Sequence, residues 1–300
     1  MAEEAIRACI REDRAFLAVT GAEARPFLQG LLSQDVEKIV DGKAGYGALL
    51  TPQGKFLHDL FLTASPDGLV LECEAARVDD LALRLKRYRL RAKVTIEPME
   101  GWQAGLAWGG DAFGLAGGSG DRRGVAESRD GAVVYLDPRL AALGARVVGP
   151  ADAVARLLAD LPKADLADYA AHRLALGVPE GADDIAVDRG FLLESGFDEL
   201  NGVDWKKGCY VGQELTARTK YRGLVKRRLM PVRIEGGAPE VGAAIDFEGR
   251  NAGEMRSAVG ARGLALVRLD AWRKAMETEA PLAAGDARLW PEKPEWARFE

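Results

Sequence analysis

The segment best suited to chemistry is KKGCYVGQE, residues 206–214. Two lysines precede Cys209, glycines lie on both sides of it, and the residues that follow, LTART, favour a short helix. A cysteine on a loop before a helix has backbone N–H groups and cations nearby, and both stabilise a thiolate. Cys209 is therefore suited to act as a nucleophile, a redox group or a transient metal ligand. The alternative is a small buried filler, because free cysteines are among the most buried residues.

Cysteine usage is sparse, with Cys9 and Cys73 as the other two thiols. Their odd number and wide spacing fit neither a disulfide framework nor a metal site, and they indicate a reducing compartment. Both lie in apolar stretches and are interpreted as core residues.

The N-terminus, MAEEAIRACI, has no signal or transit features, and no apolar run reaches the ~20 residues that span a membrane. We therefore expect a cytoplasmic protein with no membrane partner and no stably bound metal.

The charge of the chain is unevenly distributed. The net charge is -5, yet residues 203–233 hold nine Lys or Arg against two acids, and residues 77–93 hold seven against two. Such patches indicate an anionic ligand or partner, or else two solvated faces. The basic patch at 203–233 also allows the hypothesis of an RNA-binding module, in which Tyr210 and Tyr221 stack on bases. The acidic balance of the whole chain makes nucleic acid the less favoured partner.

The N-terminal half reads as α+β. Spacing of apolar residues predicts a helix over 22–33, where Thr20 and Glu23 have the spacing of a capping box. GYGALLT and KFLHDLFLT read as a hairpin, and SPDG as a turn into a third strand, LVLEC. A helix over 77–90 and a strand at AKVTIEP follow. This order predicts a largely antiparallel sheet with helices on it.

The middle of the chain is more mixed. Residues 110–131 are rich in Gly, Asp and Arg and predict a loop. Its GLAGGSG run lacks the strand-to-helix context of a phosphate cradle, so we reject that interpretation. AVVYLDPR and ARVVGP predict strands, 151–160 and 164–176 predict helices, and 178–202 predicts irregular structure.

From residue 226 onward the pattern changes to short strands. LMPVRIEG, AAIDFEG, AGEMRSAV and LALVRLD are separated by Gly or Pro, which predicts a small barrel or sandwich. We place a domain boundary near residues 223–228, dividing the chain into 1–224 and 225–300.

The run KGCYVGQE resembles the signature of the YgfZ-type folate-binding proteins, which are related to the glycine-cleavage T-protein. The continuation LTARTKYRGLVKRRLMPV resembles most the mitochondrial members of that family, which act in iron–sulfur cluster assembly. Further resemblances follow the family's order and cover most of the chain: FLQGLLSQDV, GALLTPQGKFLHDLFL, DPRLAALGAR, RLALGVPEG and AGEMRSAVGARGLALVRLD.

The resemblance implies a T-protein-like α+β fold. Its substructures would form a ring around a central cavity that holds tetrahydrofolate, with a C-terminal β-barrel. Residues 1–224 would then be the folate-binding region, built from two intertwined α+β subdomains, and 225–300 the barrel. The basic patch would attract the glutamate tail of the folate.

Departures from the T-protein pattern bear on mechanism. The T-protein carries an acidic pair in the second hairpin strand, and the matching pair here is His58 and Asp59, so one acid is missing. Ala175 replaces another acid of that pattern, whereas Glu194 keeps the acid that faces the pterin. Aminomethyl transfer is therefore the alternative and not the leading hypothesis. Each of these residues also has an interpretation without a functional role. Asp59 would be a capped turn residue, Glu194 a solvated loop acid, and His58 a surface or core histidine with its hydrogen bonds made.

These inferences lead to one hypothesis. We predict a monomeric, tetrahydrofolate-binding accessory protein for the assembly or repair of iron–sulfur clusters, not a classical enzyme. Its partners would be folate, iron–sulfur assembly proteins and cluster-containing enzymes. The candidate catalytic residues are Cys209 and Asp59. The candidate cofactor-binding residues are Asp59, Glu194, Lys207, Tyr210, Gln213 and Arg222.

Overall fold

The computed structural model describes residues 5–115 and 122–299. The first four residues and most of the GLAGGSG run lie outside these ranges. The strands are β1 Arg7–Arg11, β2 Arg14–Thr20, β3 Gly45–Leu50, β4 Phe56–Ser65, β5 Gly68–Glu74, β6 Thr95–Pro98, β7 Trp102–Trp108, β8 Ala126–Arg129, β9 Ala132–Leu136, β10 Ala145–Pro150, β11 Arg227–Glu235, β12 Ala244–Phe247, β13 Arg250–Val259, β14 Arg262–Arg268, β15 Leu282–Ala284 and β16 Ala287–Pro291. The α-helices are α1 Ala24–Gln29, α2 Val78–Arg89, α3 Ala112–Leu115, α4 Ala151–Leu158, α5 Leu166–Ala175, α6 Gly181–Asp184, α7 Gln213–Tyr221 and α8 Leu269–Glu277.

Contacts divide the chain into two compact units. The first unit comprises the described residues of Met1–Leu50, His58–Leu166 and Leu200–Val211. It contains two five-stranded sheets, ordered β1-β7-β10-β9-β8 and β3-β4-β5-β2-β6. The pairs of β2 with β5 and β6 are antiparallel. The predicted sheet is therefore confirmed.

Helix α2 shows how the first unit buries its sheet. Leu81, Ala82 and Leu85 face inward because they recur at helical spacing, and the helix packs on β2 and β6. The pattern placed Tyr88 on the same face as Leu81 and Leu85, but Tyr88 is exposed together with the charged residues of the helix.

Two local predictions in this unit are wrong. The helix over 22–33 is shortened to α1, and Thr20 ends β2 instead of capping the helix. The carboxylate of Glu23 instead accepts a hydrogen bond from the backbone N–H of Lys93, at 2.7 Å. The loop over 110–131 contains α3 and β8, because β8 finds an antiparallel partner in β9. The partner of Glu23 is 70 residues away in the chain, whereas that of β8 is the next strand, which pairs with it across a tight turn at Asp130 and Gly131.

The second unit comprises the described residues of Thr51–Leu57, Ala167–Glu199 and Gly212–Glu300. Its strands close into a barrel with the order β11-β14-β13-β12-β15-β16. Buried Met230, Val232 and Val267 belong to its core, and α8 packs Trp272 against them. A Cβ on Gly253 would lie 2.2 Å from the carbonyl oxygen of Leu266, so the pairing of β13 with β14 requires glycine at this position. The predicted C-terminal barrel is confirmed, and the boundary at residues 224 and 225 stays a prediction.

No helix in the described ranges combines the length and the apolar character needed to cross a bilayer.

Candidate functional site

The thiol of Cys209 is exposed, whereas those of Cys9 and Cys73 are buried. The interpretation of Cys209 as a buried filler is therefore wrong, and the core assignment of the other two is confirmed. Helix α7 begins four residues after Cys209, where the sequence predicts a short helix. The motif thus presents its thiol to the solvent in the first unit.

Lys207 holds the Cys209 loop to the end of α1. Its buried ammonium group donates hydrogen bonds to the carbonyl oxygens of Gln29 and Gln34, at 2.8 Å each, and to that of Leu32. An ammonium group has three donors, so all of them are used within the protein. Burial lowers the pKa of Lys207 to about 8 against the opposing effect of nearby carboxylates. We therefore reassign Lys207 from folate contact to support of the loop.

Tyr210 is the second anchor of the loop. Its ring is buried, 6% exposed, and lies 5.1 Å from the ammonium nitrogen of Lys207. The backbone N–H of the next residue, Val211, donates to the carbonyl of Gly30. A ring packed in this way is closed to stacking on bases, so that interpretation of Tyr210 is wrong. Tyr221, in contrast, is 77% exposed.

His58 and Asp59 are both buried, and each finds a partner on a different element. The Nε2 atom of His58 lies 2.9 Å from a carboxylate oxygen of Asp80 on α2. Burial lowers the pKa of His58 to about 4, helped by Arg77 and opposed by Asp80. The imidazole is therefore neutral at pH 7. It cannot supply the negative charge of the acid that it replaces.

Asp59 has one oxygen in use and one free. Oδ2 accepts a hydrogen bond from the hydroxyl of Tyr46, at 3.1 Å, while Oδ1 has no hydrogen-bond partner among the described residues. Burial raises the pKa of Tyr46 well above its usual range, and Asp59 raises it further, so the hydroxyl remains a donor. A buried acceptor without a partner indicates a ligand or water that donates to it.

The depressed pKa of His58 predicts a loss of stability in acid. Below pH 6.5 the unfolded state binds a proton that the folded state does not take up until about pH 4. Stability is therefore lost as the pH falls through this window, by up to about 3 kcal/mol. His58→Gln should flatten the pH dependence of urea unfolding between these limits. Parallel curves for the wild type and the variant would contradict this assignment.

A buried ion cluster lies in the same unit. Glu72 accepts hydrogen bonds from Arg14 Nε, at 2.9 Å, from Arg146, and from the hydroxyl of Tyr135, at 3.2 Å. The Arg146 guanidinium stacks over Phe61 at 3.7 Å. Burial would raise the pKa of Glu72, but Arg146 and Arg14 outweigh it and lower that pKa. Sequence reasoning missed these residues, although charged residues inside apolar strands were the available signal.

Glu194 lies in the second unit on a single helical turn, Leu192–Ser195. It is 9% exposed, and its two oxygens accept a bidentate pair from Arg227, at 3.0 and 3.2 Å. Glu194 lines a cavity of about 800 Å³. The charged residues that share this lining are Lys226, Arg227, Arg268, Arg273, Glu254 and Asp270. Of these lining residues, Lys226 and Arg227 lie in the basic segment 203–233 that the sequence analysis singled out.

The structure gives the positions of the remaining candidates, Gln213 and Arg222, and no ligand contact for them. Gln213 is the first residue of α7, and Arg222 is exposed directly after its end. Their cofactor contacts stay predictions. No group of three or more His, Cys, Asp or Glu side chains within residues 5–115 and 122–299 is arranged to hold a metal ion.

Comparisons with known proteins identify relatives of the chain and of its barrel. Residues 226–299 match the family model described as the CAF17 C-terminal beta-barrel domain. The human protein named iron-sulfur cluster assembly factor IBA57, mitochondrial, is 37% identical over 286 residues, covering 87% of this chain and 77% of its own. The mouse protein of the same name is 33% identical over 282 residues, with the same shares.

The fold has a solved counterpart. The crystal structure of the glycine cleavage system aminomethyltransferase T from Bartonella henselae superposes with a TM-score of 0.75 at 17% identity, covering 98% of this chain and 87% of that one. The predicted T-protein-like fold is therefore confirmed. At this identity the match concerns the fold alone.

Proposed function

This chain belongs to the family of the iron–sulfur cluster assembly factors IBA57, as the resemblance of the KGCYVGQE motif and of the LTARTKYRGLVKRRLMPV run after it predicted, and we propose that it serves the assembly or repair of iron–sulfur clusters through the thiol of Cys209. The cluster is cargo in this proposal and not a resident group. Clusters usually need four ligands, commonly cysteines, and one exposed thiol supplies a single ligand. Iron–sulfur assembly proteins or the recipient enzymes would supply the others. The cytoplasmic location and monomeric state stay predictions.

One observation carries this proposal: Cys209 is the exposed cysteine, and its loop is anchored on both sides of the thiol. Lys207 is bonded to three carbonyl oxygens, and the backbone N–H of Val211 to a fourth. A thiol fixed in this way is presented to a partner without a large loss of loop entropy on binding.

Cys209→Ala tests the thiol. In a strain that lacks the gene, we expect the variant to restore less than about one tenth of the cluster-dependent enzyme activity that the wild type restores, because substitutions at metal sites cost about 10- to 100-fold in metal affinity or activity. Cys9→Ala is the matched control, because it removes a buried thiol and should restore activity fully. Full restoration of enzyme activity by Cys209→Ala, at the same protein level as the wild type, would contradict the proposal.

Folate binding is the second part of the proposal, and the residues present fit it. The cavity at Glu194 lies within the range of volumes that hold drug-sized ligands. A carboxylate has about four acceptor positions, so Glu194 can accept pterin N–H groups while it keeps Arg227. Lys226, Arg268 and Arg273 suit the carboxylates of a glutamate tail. The folate contact predicted for Asp59 stays a separate prediction, because Asp59 does not line this cavity.

Calorimetric titration of tetrahydrofolate tests this part. We expect saturable binding to the wild type and a loss of about 10- to 100-fold in affinity for Glu194→Ala, the range for a hydrogen bond to a charged group. Glu240→Ala, which removes an exposed carboxylate, should bind like the wild type. If the wild type does not bind, the folate part fails while the Cys209 part still stands, because the two experiments are independent.

A further inference from the structure

The outer side of α2 is an exposed surface that no part of the proposed function uses. We call it the α2 surface: Leu83, Lys86, Arg87, Tyr88, Arg89, Leu90, Arg91 and Lys93, all exposed. Leu83 and Arg87 are four residues apart and share one stripe of the helix, and Leu90 follows directly after the last helical residue. The buried stripe, with Leu81 and Leu85, faces the sheet instead.

The cations of this surface lack a carboxylate partner among residues 5–115 and 122–299. Lys86, Arg87, Arg89, Arg91 and Lys93 form no ion pair with the described residues, whereas the inner Arg84 pairs with Asp80 at 2.7 Å. The acids of α2, Asp79 and Asp80, lie in its first turn, at the opposite end. The nearby carboxylate of Glu23 is bonded to the backbone N–H of Lys93. The surface therefore has a strong positive excess on a chain of net charge -5.

Leu90 has a positive φ, a backbone conformation that leucine rarely adopts. It is 86% exposed, with φ 46° and ψ −108°, and the N–H of Ala92 donates to the carbonyl of Arg89 around it, at 2.8 Å. These angles belong to the second position of a type II′ turn, where glycine is preferred. The leucine gains little burial in return. A local rule broken without a gain in packing indicates a role outside the fold.

We propose that the α2 surface binds an anionic phospholipid membrane. Leu83 and Leu90 would enter the headgroup region, Tyr88 would lie at the interface, and the five cations would contact lipid phosphates. Each Lys or Arg near such a surface strengthens partitioning about fivefold. RNA would use the cations but leave the exposed leucines unused. The proposal revises our expectation of no membrane partner, which considered only spanning segments.

Co-sedimentation with vesicles tests the proposal on the full chain. We expect binding to vesicles of phosphatidylcholine mixed with phosphatidylglycerol, none to phosphatidylcholine alone, and release at high salt. Arg87→Glu should weaken binding at least tenfold, since it removes one cation and adds one acid. Lys163→Glu makes the same charge change at an exposed lysine outside the α2 surface and should bind like the wild type.

Leu90→Gly separates insertion from folding. Glycine relieves the positive φ, so the variant should be at least as stable as the wild type and yet bind anionic vesicles several-fold more weakly. Val241→Gly, at a residue that is 69% exposed in the second unit, is the apolar control. Failure of the wild type to bind anionic vesicles would overturn the proposal. Salt-dependent binding of RNA through Arg87 without vesicle binding would overturn it equally.

Discussion

Glu72→Gln is expected to lower the free energy of unfolding by at least about 3 kcal/mol, the lower end for breaking a buried ion pair. The carboxylate is 2% exposed and neutralises Arg14 and Arg146, which are buried with it. Glutamine keeps the shape but removes the charge, so two guanidinium groups stay buried with less compensation. A second carboxylate, that of Asp137, lies farther from Arg146, at 3.8 Å. Urea unfolding at neutral pH measures the loss.

The matched control is Glu127→Gln. Glu127 pairs with Arg129 at 2.6 Å, but its side chain is 37% exposed, so water screens the pair. Its loss should cost less than about 1 kcal/mol. Similar small effects of both substitutions would show that the buried cluster does not depend on the charge of Glu72.

Lys207→Met is expected to cost about 2–4 kcal/mol and to loosen the Cys209 loop. Methionine fills most of the volume but leaves three carbonyl oxygens, at the end of α1 and in the segment after it, without their donor. Unsatisfied buried groups cost about 1–3 kcal/mol each before relaxation. Because the loop is then held by fewer bonds, the thiol should alkylate at a changed rate. Urea unfolding and the alkylation rate of Cys209 measure the two effects.

Lys206→Met is the control for that experiment. Lys206 is the exposed neighbour of Lys207, and its side chain makes no hydrogen bond with the described residues. It should therefore change neither stability nor alkylation. If both lysine variants behave alike, the anchoring role assigned to Lys207 is wrong.

Local pattern predicted the elements that carry their own signal. Helix α2 differs from the prediction by one residue at each end, because Leu81 and Leu85 repeat at helical spacing. The barrel strands were found because Gly and Pro separate short alternating runs. Strand β8 was missed because four residues with only one apolar side chain become a strand through pairing with β9.

The candidate site divides in the same way. The KGCYVGQE motif singled out Cys209, since a thiol between glycines after two lysines is a local arrangement. The role of Lys207 depends on carbonyl groups some 170 residues away in the chain. Likewise, Glu194 was a candidate from its segment, but its bidentate partner Arg227 comes from the first barrel strand.

The sequence by itself determined the family, the α+β class, the barrel and the cysteine to study, because these depend on spacing and composition along a short stretch. Only the tertiary structure decided which charges are buried and paired, and which face water. The ammonium of Lys207 and the cations after it in α7 look alike in sequence, as do Arg84 and Arg87 on α2. Burial and hydrogen bonding depend on which distant backbone and side-chain atoms fold against a residue, and the order of residues does not display those contacts.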